Sequence, residues 1–415
     1  MPGSTSTTTP ALVIERVRLG GVHGEIDRTE VDLHIAGRRI AQIVRTGSAA
    51  VDGAAVIDGA GALALPGMVD AHCHVDKTLW GRPWRPHSAG PALEDRIRNG
   101  EGGRAELGLP APDTIRALLK QMVATGTTAA RAHTDVDPEI GLIGLERVAE
   151  AAGELKHAID VQQVAFPQGG LLIRPGTAEL LEEALRRGLA DVIGGIDPAA
   201  LERDSVRHLD TVFGLAATYG ASIDIHLHER GTLGAHTMEL VIEHTRRHGM
   251  DGRVTLSHAV AVAEVDAAQS SRICAGLAEQ GISLVTATVY DTPVLPIAAL
   301  ARQGVNVGAG NDGVRDLWGP WGTGDMLERT HHLAYRSGYR TDEQIARAFD
   351  VAVTGGAIAM GREPARIASG HPADLFLVDA AGISEAVAAR PGRRLVVKNG
   401  AVVAQDGRLL ELEPA

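Results

Sequence analysis

The segment from Pro66 to Lys77 holds the first residues whose types and spacing could support chemistry. Two histidines, His72 and His74, are separated there by a single residue. In a β-strand, residues i and i+2 point to the same face, so two imidazoles at a strand end can approach one point. Imidazole is a common ligand of zinc and iron, which makes a metal site one interpretation. A chance or structural pair is the other, because so short a motif is not specific. Cys73 would face away on such a strand, and we expect it to lie in the core.

Composition narrows the class of protein. The chain has 415 residues, of which 44% are hydrophobic and 22% are charged, as is ordinary for a globular protein with one large and one smaller domain, or with two domains. A formal net charge of -12 argues against a nucleic-acid partner. Two cysteines give no disulfide framework and favour a reducing cytoplasm. No apolar run approaches the roughly 20 residues of a membrane span, and residues 1–10 are predicted to be a flexible tail without signal-peptide features.

Strand-like runs alternate with helix-like segments in the middle of the chain. Eight candidate strands lie at about 68–72, 128–133, 160–166, 191–196, 222–228, 253–258, 283–288 and 306–310. Three helices with readable ends are predicted at Thr177–Gly188, Thr237–His248 and Thr292–Gln303. Eight strands alternating with helices over about 250 residues predict a (β/α)8 TIM barrel. An open doubly wound sheet is the alternative, but no GxGxxG follows the first strand.

Both ends of the chain have a different pattern of predicted secondary structure from the middle. Short strand candidates occupy 12–19, 31–35, 40–44 and 54–58, and others follow at 373–379 and on both sides of the hairpin signal Asn399-Gly400. We expect these segments to pair in one small β-sandwich domain, which would leave no open strand edges. The predicted organisation is a tail at 1–10, a first part of the β-domain at 11–65, the hydrolase barrel at 66–364 and a second part of the β-domain at 365–415.

Further polar residues fall at the ends of the predicted barrel strands. His226 ends the fifth strand, His258 the sixth, and Asp312 follows the eighth. Barrel enzymes carry their chemistry at this rim, so these residues should approach His72 and His74. Each alone has a structural interpretation, but their joint placement favours a metal site.

At this point the sequence resembles the amidohydrolase superfamily, and within it the branch of cytosine deaminase and N-isopropylammelide amidohydrolase. The resemblance spans essentially the whole chain. It is carried by the stretches 72–77, 164–168, 226–229, 257–258, 311–318 and 322–327, together with 193–199 and 252–258.

The resemblance implies roles for the rim residues. His72, His74, His226 and Asp312 would hold one divalent ion, Zn2+ or Fe2+. The segment 192–198 has no lysine, whereas relatives with two metals use one there. Glu229 would shuttle protons, His258 would bind the attacking oxygen or the developing oxyanion, and Asp312 would also accept the proton of water.

The resemblance also implies substrate contacts. Gln168 would read an amide edge of the ring, and Trp318 would stack on its face. His228 and Lys77 are further candidates for substrate binding. All four tryptophans lie in two loops, at Trp80 and Trp84 and at Trp318 and Trp321. They are predicted either to wall the pocket or, for Trp84 and Trp321, to pack the loops together.

Two positions depart from the pattern of the branch. Cytosine deaminases carry a second Asp directly after the metal-binding Asp, and the ammelide enzyme carries Asn there, whereas this chain has Gly313. Glu229 matches the deaminases, whereas the ammelide enzyme has Asp. The sequence thus fully matches neither specificity.

The functional expectation is a metal-dependent hydrolase of small molecules. It would deaminate a planar nitrogen heterocycle of the pyrimidine or triazine type, or remove an alkylamine from it. A ring-opening cyclic amidohydrolase is the alternative within the enzymes, and a non-catalytic metal-binding scaffold is the remote one. We expect a cytoplasmic homo-oligomer without nucleic-acid or membrane partners.

Overall fold

The computed structural model describes residues 11–21, 25–47, 52–90, 92–290 and 292–411. The tail predicted at residues 1–10 lies outside this part of the chain. Two sheets organise the described residues, one built from both ends of the chain and one from its middle.

Eight parallel strands form the central sheet, each pairing with the next along the chain. They are β6 (Met68–Cys73), β7 (Thr127–Asp135), β8 (Asp160–Phe166), β9 (Val192–Ile196), β10 (Ser222–Leu227), β11 (Val254–His258), β12 (Ser283–Thr286) and β13 (Val307–Ala309). The chain just after β13 closes the ring onto β6, because the Asp312 amide donates to the His72 carbonyl at 2.8 Å and the His74 amide donates to the Asp312 carbonyl at 3.3 Å. The predicted parallel barrel is confirmed, and its closure brings the first and last strand ends together.

Helices follow most of the barrel strands and cover the barrel. Those in the described residues are α1 (Leu93–Leu107), α2 (Pro112–Ala124), α3 (Ile143–Glu154), α4 (Thr177–Arg186), α5 (Ser205–Tyr219), α6 (Gly231–His248), α7 (Ala267–Glu279), α8 (Ile297–Arg302), α9 (Met326–Arg336), α10 (Asp342–Asp350), α11 (Gly356–Ala359) and α12 (Ile383–Ala389). None of them is long and apolar enough to cross a lipid bilayer.

Two of the three predicted helix starts are wrong. α6 begins at Gly231, six residues before the predicted Thr237, because the apolar face that it buries extends back to Gly234 and Ala235. α8 begins at Ile297 and not at Thr292. A proline disfavours helical geometry in the residue before it, so Pro296 at the N-cap delays the helix.

The terminal sheet joins nine strands from both ends of the chain. They are β1 (Leu12–Gly20), β2 (Ile26–Ala36), β3 (Arg39–Arg45), β4 (Ala55–Asp58) and β5 (Leu63–Pro66), with β14 (Leu375–Val378), β15 (Arg393–Lys398), β16 (Ala401–Gln405) and β17 (Arg408–Leu409). β14 pairs with β5, which joins the two ends. The predicted hairpin at Asn399-Gly400 is confirmed, since both residues have positive φ and connect β15 to β16. Strand β5 lies outside the predicted strands.

Candidate active site

Four predicted ligands converge at the carboxyl end of the barrel. His72 is on β6, His74 directly follows it, His226 is on β10, and Asp312 follows β13. The Nε2 atoms of His74 and His226 are 3.3 Å apart, and Asp312 Oδ1 lies 3.3 Å from Nε2 of His74 and 3.7 Å from Nε2 of His72. Nitrogen and oxygen ligands bind Zn2+ at about 2.0–2.2 Å, so donor atoms with these separations can share one ion.

Hydrogen bonds fix which nitrogen of His72 carries the proton. Its Nδ1 lies 2.8 Å from Ser257 Oγ, and that hydroxyl lies 2.7 Å from Oδ1 of Asp224. The Asp224 carboxylate must accept the Ser257 proton, so His72 Nδ1–H donates to the hydroxyl oxygen. The buried Nε2 of His72 has no hydrogen-bond partner. This arrangement leaves a lone pair on Nε2, aimed at the point where the four side chains meet.

The same reasoning assigns the His74 tautomer. Its Nδ1 lies 3.0 Å from the carbonyl oxygen of His133 and must donate to it. His74 Nε2 therefore also presents a lone pair, facing His226 Nε2. The fit of a divalent ion thus rests on oriented lone pairs and a carboxylate that share one point.

Burial keeps two of the imidazole ligands, His74 and His226, neutral. It lowers the pKa of His74 to about 3 and the pKa of His226 well below its ordinary value. Burial alone would raise the pKa of Asp312, but the nearby imidazoles of His72 and His74 outweigh it and hold this pKa well below its usual range. Neutral imidazoles and an ionised carboxylate are the protonation states that metal ligands require.

A buried network supports these ligands from below. Arg131 donates to Asp224 Oδ2 at 2.8 Å, and His133 Nε2 lies 3.3 Å from the same oxygen. Burial would raise the pKa of Asp224, but these two neighbours lower it, so the carboxylate stays charged. His133 also lies within ligand reach of His72 and His226. Sequence reasoning missed Asp224, although its position two residues before His226 on one strand was an available signal.

A second buried acid holds the Asp312 segment. Asp70 accepts the Asn311 amide at 3.0 Å and its side-chain Nδ2 at 2.7 Å. Asp312 itself has φ of +61°, and His258 has φ of +69°. Non-glycine residues with such values are uncommon, and they cluster at functional sites where the surrounding structure holds them.

A cavity of about 720 Å3 opens above the convergence point. The predicted residues on its lining are His74, Lys77, Gln168, His226, His228, His258, Asp312 and Trp318. Gly313, Asp316 and Trp321 also line it. This volume is within the range of small-molecule sites, about 300–1,000 Å3.

Lys77 and Gln168 form one polar wall. Lys77 Nζ donates to Asp135 Oδ1 at 2.9 Å and to Gln168 Oε1 at 2.7 Å, and it lies 5.3 Å from the centre of the Trp318 ring. Because the Gln168 oxygen accepts from Lys77, its Nε2 is the donor end of the amide. This buried nitrogen has no hydrogen-bond partner among the described residues. Both side chains line the cavity and carry N–H donors.

His228 and Glu229 are placed differently from each other. His228 lines the cavity, and its Nδ1 lies 2.8 Å from Asp197 Oδ2. Burial would lower the pKa of His228, but the charge and hydrogen bond of Asp197 raise it above its ordinary value. Glu229 does not line the cavity: its carboxylate accepts the Ala199 amide at 2.7 Å, the Ala200 amide at 2.9 Å and the Thr237 hydroxyl. Glu229 is therefore not a lining residue of the cavity in this conformation, and its proton-shuttle role stays a prediction.

The four tryptophans divide into two pairs. Trp318 and Trp321 line the cavity. Trp80 and Trp84 instead lie against the Arg315 guanidinium, with ring centres 5.4 and 5.6 Å from it. The pocket-wall hypothesis therefore fits the second loop, whereas Trp80 and Trp84 connect the two loops.

Comparisons with known proteins agree with this architecture. A sequence model described as "Amidohydrolase family" matches residues 110–404. N-isopropylammelide isopropyl amidohydrolase of Pseudomonas sp. is 31% identical over 90% of this chain and 94% of its own. A crystal structure of N-isopropylammelide isopropylaminohydrolase from Burkholderia multivorans has 42% identity and a TM-score of 0.90, covering 96% of this chain and 99% of the other.

A second similar structure is 5-methylcytosine deaminase from Klebsiella pneumoniae, liganded with 5-fluorocytosine. It is 27% identical with a TM-score of 0.80 and covers 97% of this chain and 99% of the other. The resemblance inferred from the motifs is thereby confirmed over the barrel and the terminal strands. The chain belongs to the amidohydrolase family.

Proposed function

We propose that this protein is a metal-dependent aminohydrolase that cleaves an exocyclic C–N bond of a planar nitrogen heterocycle. The observation that carries the proposal is the convergence of His72, His74, His226 and Asp312 at the floor of a cavity walled by Trp318. The relatives support the reaction class, since their names describe an isopropylaminohydrolase of N-isopropylammelide and a deaminase of 5-methylcytosine. The substrate would be a pyrimidine- or triazine-like ring.

One divalent ion, Zn2+ or Fe2+, is the proposed cofactor, held by these four side chains. When bound, such an ion supplies the positive charge that lowers the pKa of a water molecule toward neutrality. Two features support a single ion. Strand β9 offers no lysine that could bridge two ions, and Lys77 already neutralises the nearby carboxylate of Asp135.

Protons would move through residues at the cavity wall. Asp312 would accept the proton of water, and His258 would donate a hydrogen bond to the developing oxyanion. His228, whose Nδ1 lies 2.8 Å from Asp197 Oδ2 and which lines the cavity, would protonate the leaving amine. Glu229 retains its predicted proton-shuttle role as a second possibility, which requires its carboxylate to leave the Ala199 and Ala200 amides.

Substrate binding would use the stacked and donating groups of the cavity. Trp318 would stack on the ring, while Lys77 and Gln168 would donate hydrogen bonds to a ring carbonyl. A flat aromatic wall beside two donors suits an oxo-substituted heterocycle.

The direct test is a screen of aminopyrimidines, aminotriazines and cyclic ureas with metal-replete protein. We expect release of ammonia or alkylamine with an intact ring, as measured by product mass. Ring opening would support the cyclic amidohydrolase instead. Metal well below one equivalent together with no turnover would support a non-catalytic scaffold.

The finer organisation is also proposed. The terminal strands would form a β-sandwich domain from residues 11–65 and 365–415 around a barrel at 66–364. Its own apolar cluster, which includes Leu33, Leu375 and Val397, supports a separate small core. Two buried free cysteines favour a reducing compartment such as the cytoplasm. A homo-oligomer remains an expectation, testable by light scattering.

A further inference from the structure

Position 313, beside the metal-binding Asp312, carries no side chain, and another residue fills that space. A Cβ atom placed on Gly313 would lie 2.1 Å from Oδ2 and 3.0 Å from Cγ of Asp316. Both distances are far below van der Waals contact. Any larger residue at 313 would therefore displace the Asp316 carboxylate, which occupies the volume that a side chain at 313 would take.

The Asp316 carboxylate is held firmly on one side only. Its Oδ1 accepts the Trp318 amide at 2.8 Å and the Gly319 amide at 3.0 Å. Within the described part of the chain, no hydrogen bond to its Oδ2 is seen, although the residue is only 2% exposed and lines the cavity. Because Asp316 lines the cavity, Oδ2 is left to accept a hydrogen bond from a molecule bound there.

Donors lie on another wall of the same cavity. Lys77 and Gln168, whose Nε2 has no partner among the described residues, lie on that wall. Burial raises the pKa of Asp316 to about 6, and the charge of Lys77 opposes this rise. Two donor side chains and one acceptor therefore line the cavity that would hold the substrate. Their complement is a ring carbonyl next to a ring N–H.

We infer that Asp316 is a specificity-determining residue that accepts a hydrogen bond from a ring N–H of the substrate. This inference rests on the proposed function. The preferred substrates are heterocycles in which this N–H adjoins a carbonyl, so that Asp316 Oδ2 accepts from the N–H while Gln168 and Lys77 donate to the oxygen. The absence of a side chain at 313 is what admits the Asp316 carboxylate to this position. Ring N-methylation removes the donor and adds bulk against the carboxylate.

The probes are cytosine, which has a ring N–H beside its carbonyl, and 1-methylcytosine, which lacks it. Binding is measured by quenching of tryptophan fluorescence, since Trp318 and Trp321 line the cavity, and turnover is measured by ammonia release. The wild-type protein should prefer cytosine in both Kd and KM by roughly 10- to 100-fold, the range of one charge-assisted hydrogen bond. In Asp316→Asn the preference should fall to about threefold or less, because an amide can keep the Trp318 and Gly319 bonds while turning a donor to the ring.

A second variant separates specificity from folding. Gly313→Ala leaves the Asp316 carboxylate chemically intact but pushes it aside, so it should lose the same preference while metal content stays at the wild-type level. A purely structural role for Asp316 predicts a lower Tm with the cytosine preference retained, and that result would overturn the inference. So would a wild-type protein that binds both probes equally or neither.

The binding readout also separates this inference from the proposed function. If cytosine is bound selectively by the wild type and unselectively by Asp316→Asn, but no ammonia appears, the aminohydrolase proposal fails for this ring and the assignment of Asp316 stands. If ammonia appears and both variants keep the preference, the assignment of Asp316 fails alone.

Discussion

Replacing Ser257 by Ala tests the hydrogen bonds that orient the metal ligands. The hydroxyl accepts from His72 Nδ1 at 2.8 Å and donates to Asp224 at 2.7 Å, in a site where all three residues are buried. The change leaves the buried imidazole N–H and the carboxylate oxygen without their shared partner, which costs about 1–3 kcal/mol. His72 can then adopt the other tautomer, which places a proton on the nitrogen that should face the ion.

We therefore expect the affinity of Ser257→Ala for Zn2+ or Fe2+ to fall about 10- to 100-fold, the usual effect of removing a residue that orients a ligand. Competition with a chelator of known affinity gives the dissociation constant directly. Ser270→Ala is the matched control, because Ser270 Oγ also donates a hydrogen bond, to the Val262 carbonyl at 3.1 Å, but lies in α7 and outside the cavity lining. Equal metal affinity in the two variants would refute the assigned tautomer.

Three further predictions concern the site and its charge state. Trp318→Ala should raise KM about 10-fold or more, since aromatic stacking on a base contributes about 1–3 kcal/mol, whereas Trp84→Ala, which is outside the cavity lining, should not. If His228 protonates the leaving amine, His228→Gln should lower kcat by about 100-fold or more, whereas Glu229→Gln should mainly lower Tm. An equal loss of kcat in both variants would return the shuttle role to Glu229. Burial lowers the pKa of His133 from 6.5 to about 4, so the unfolded chain binds the extra proton first and the metal-free protein should lose stability as the pH falls from about 6.5 to 4. His133→Gln should flatten that slope in thermal melts, and an unchanged slope would contradict this assignment.

The strand pattern was predictable because buried parallel strands are nearly continuous apolar runs between helices with clear ends. The polar residues that interrupt those runs at the rim were therefore visible in the sequence as well. His226 and Asp312 could be placed near His72 from strand order alone, since the carboxyl ends of all strands in a parallel barrel lie at one rim. Helix starts were less predictable, as the late start of α8 at Ile297 illustrates.

Sequence patterns could not predict how the side chains are oriented. No spacing rule pairs Ser257 with His72, 185 residues away along the chain, or turns Glu229 toward the Ala199 and Ala200 amides. The position of the Asp316 carboxylate beside Gly313 also depends on the tertiary fold. Gly313 could be recognised as a departure from the branch, but what replaces its side chain depends on how the loop folds back.

The central claim is that one divalent ion, held by His72, His74, His226 and Asp312, supports amine release. The most direct measurement is a titration of metal-free protein with Zn2+ or Fe2+, following ammonia or alkylamine release in the same samples. Release should rise linearly with added metal and reach its plateau at one equivalent per chain, with no such rise in Asp312→Asn. A plateau at two equivalents, or release that is independent of metal, would contradict it.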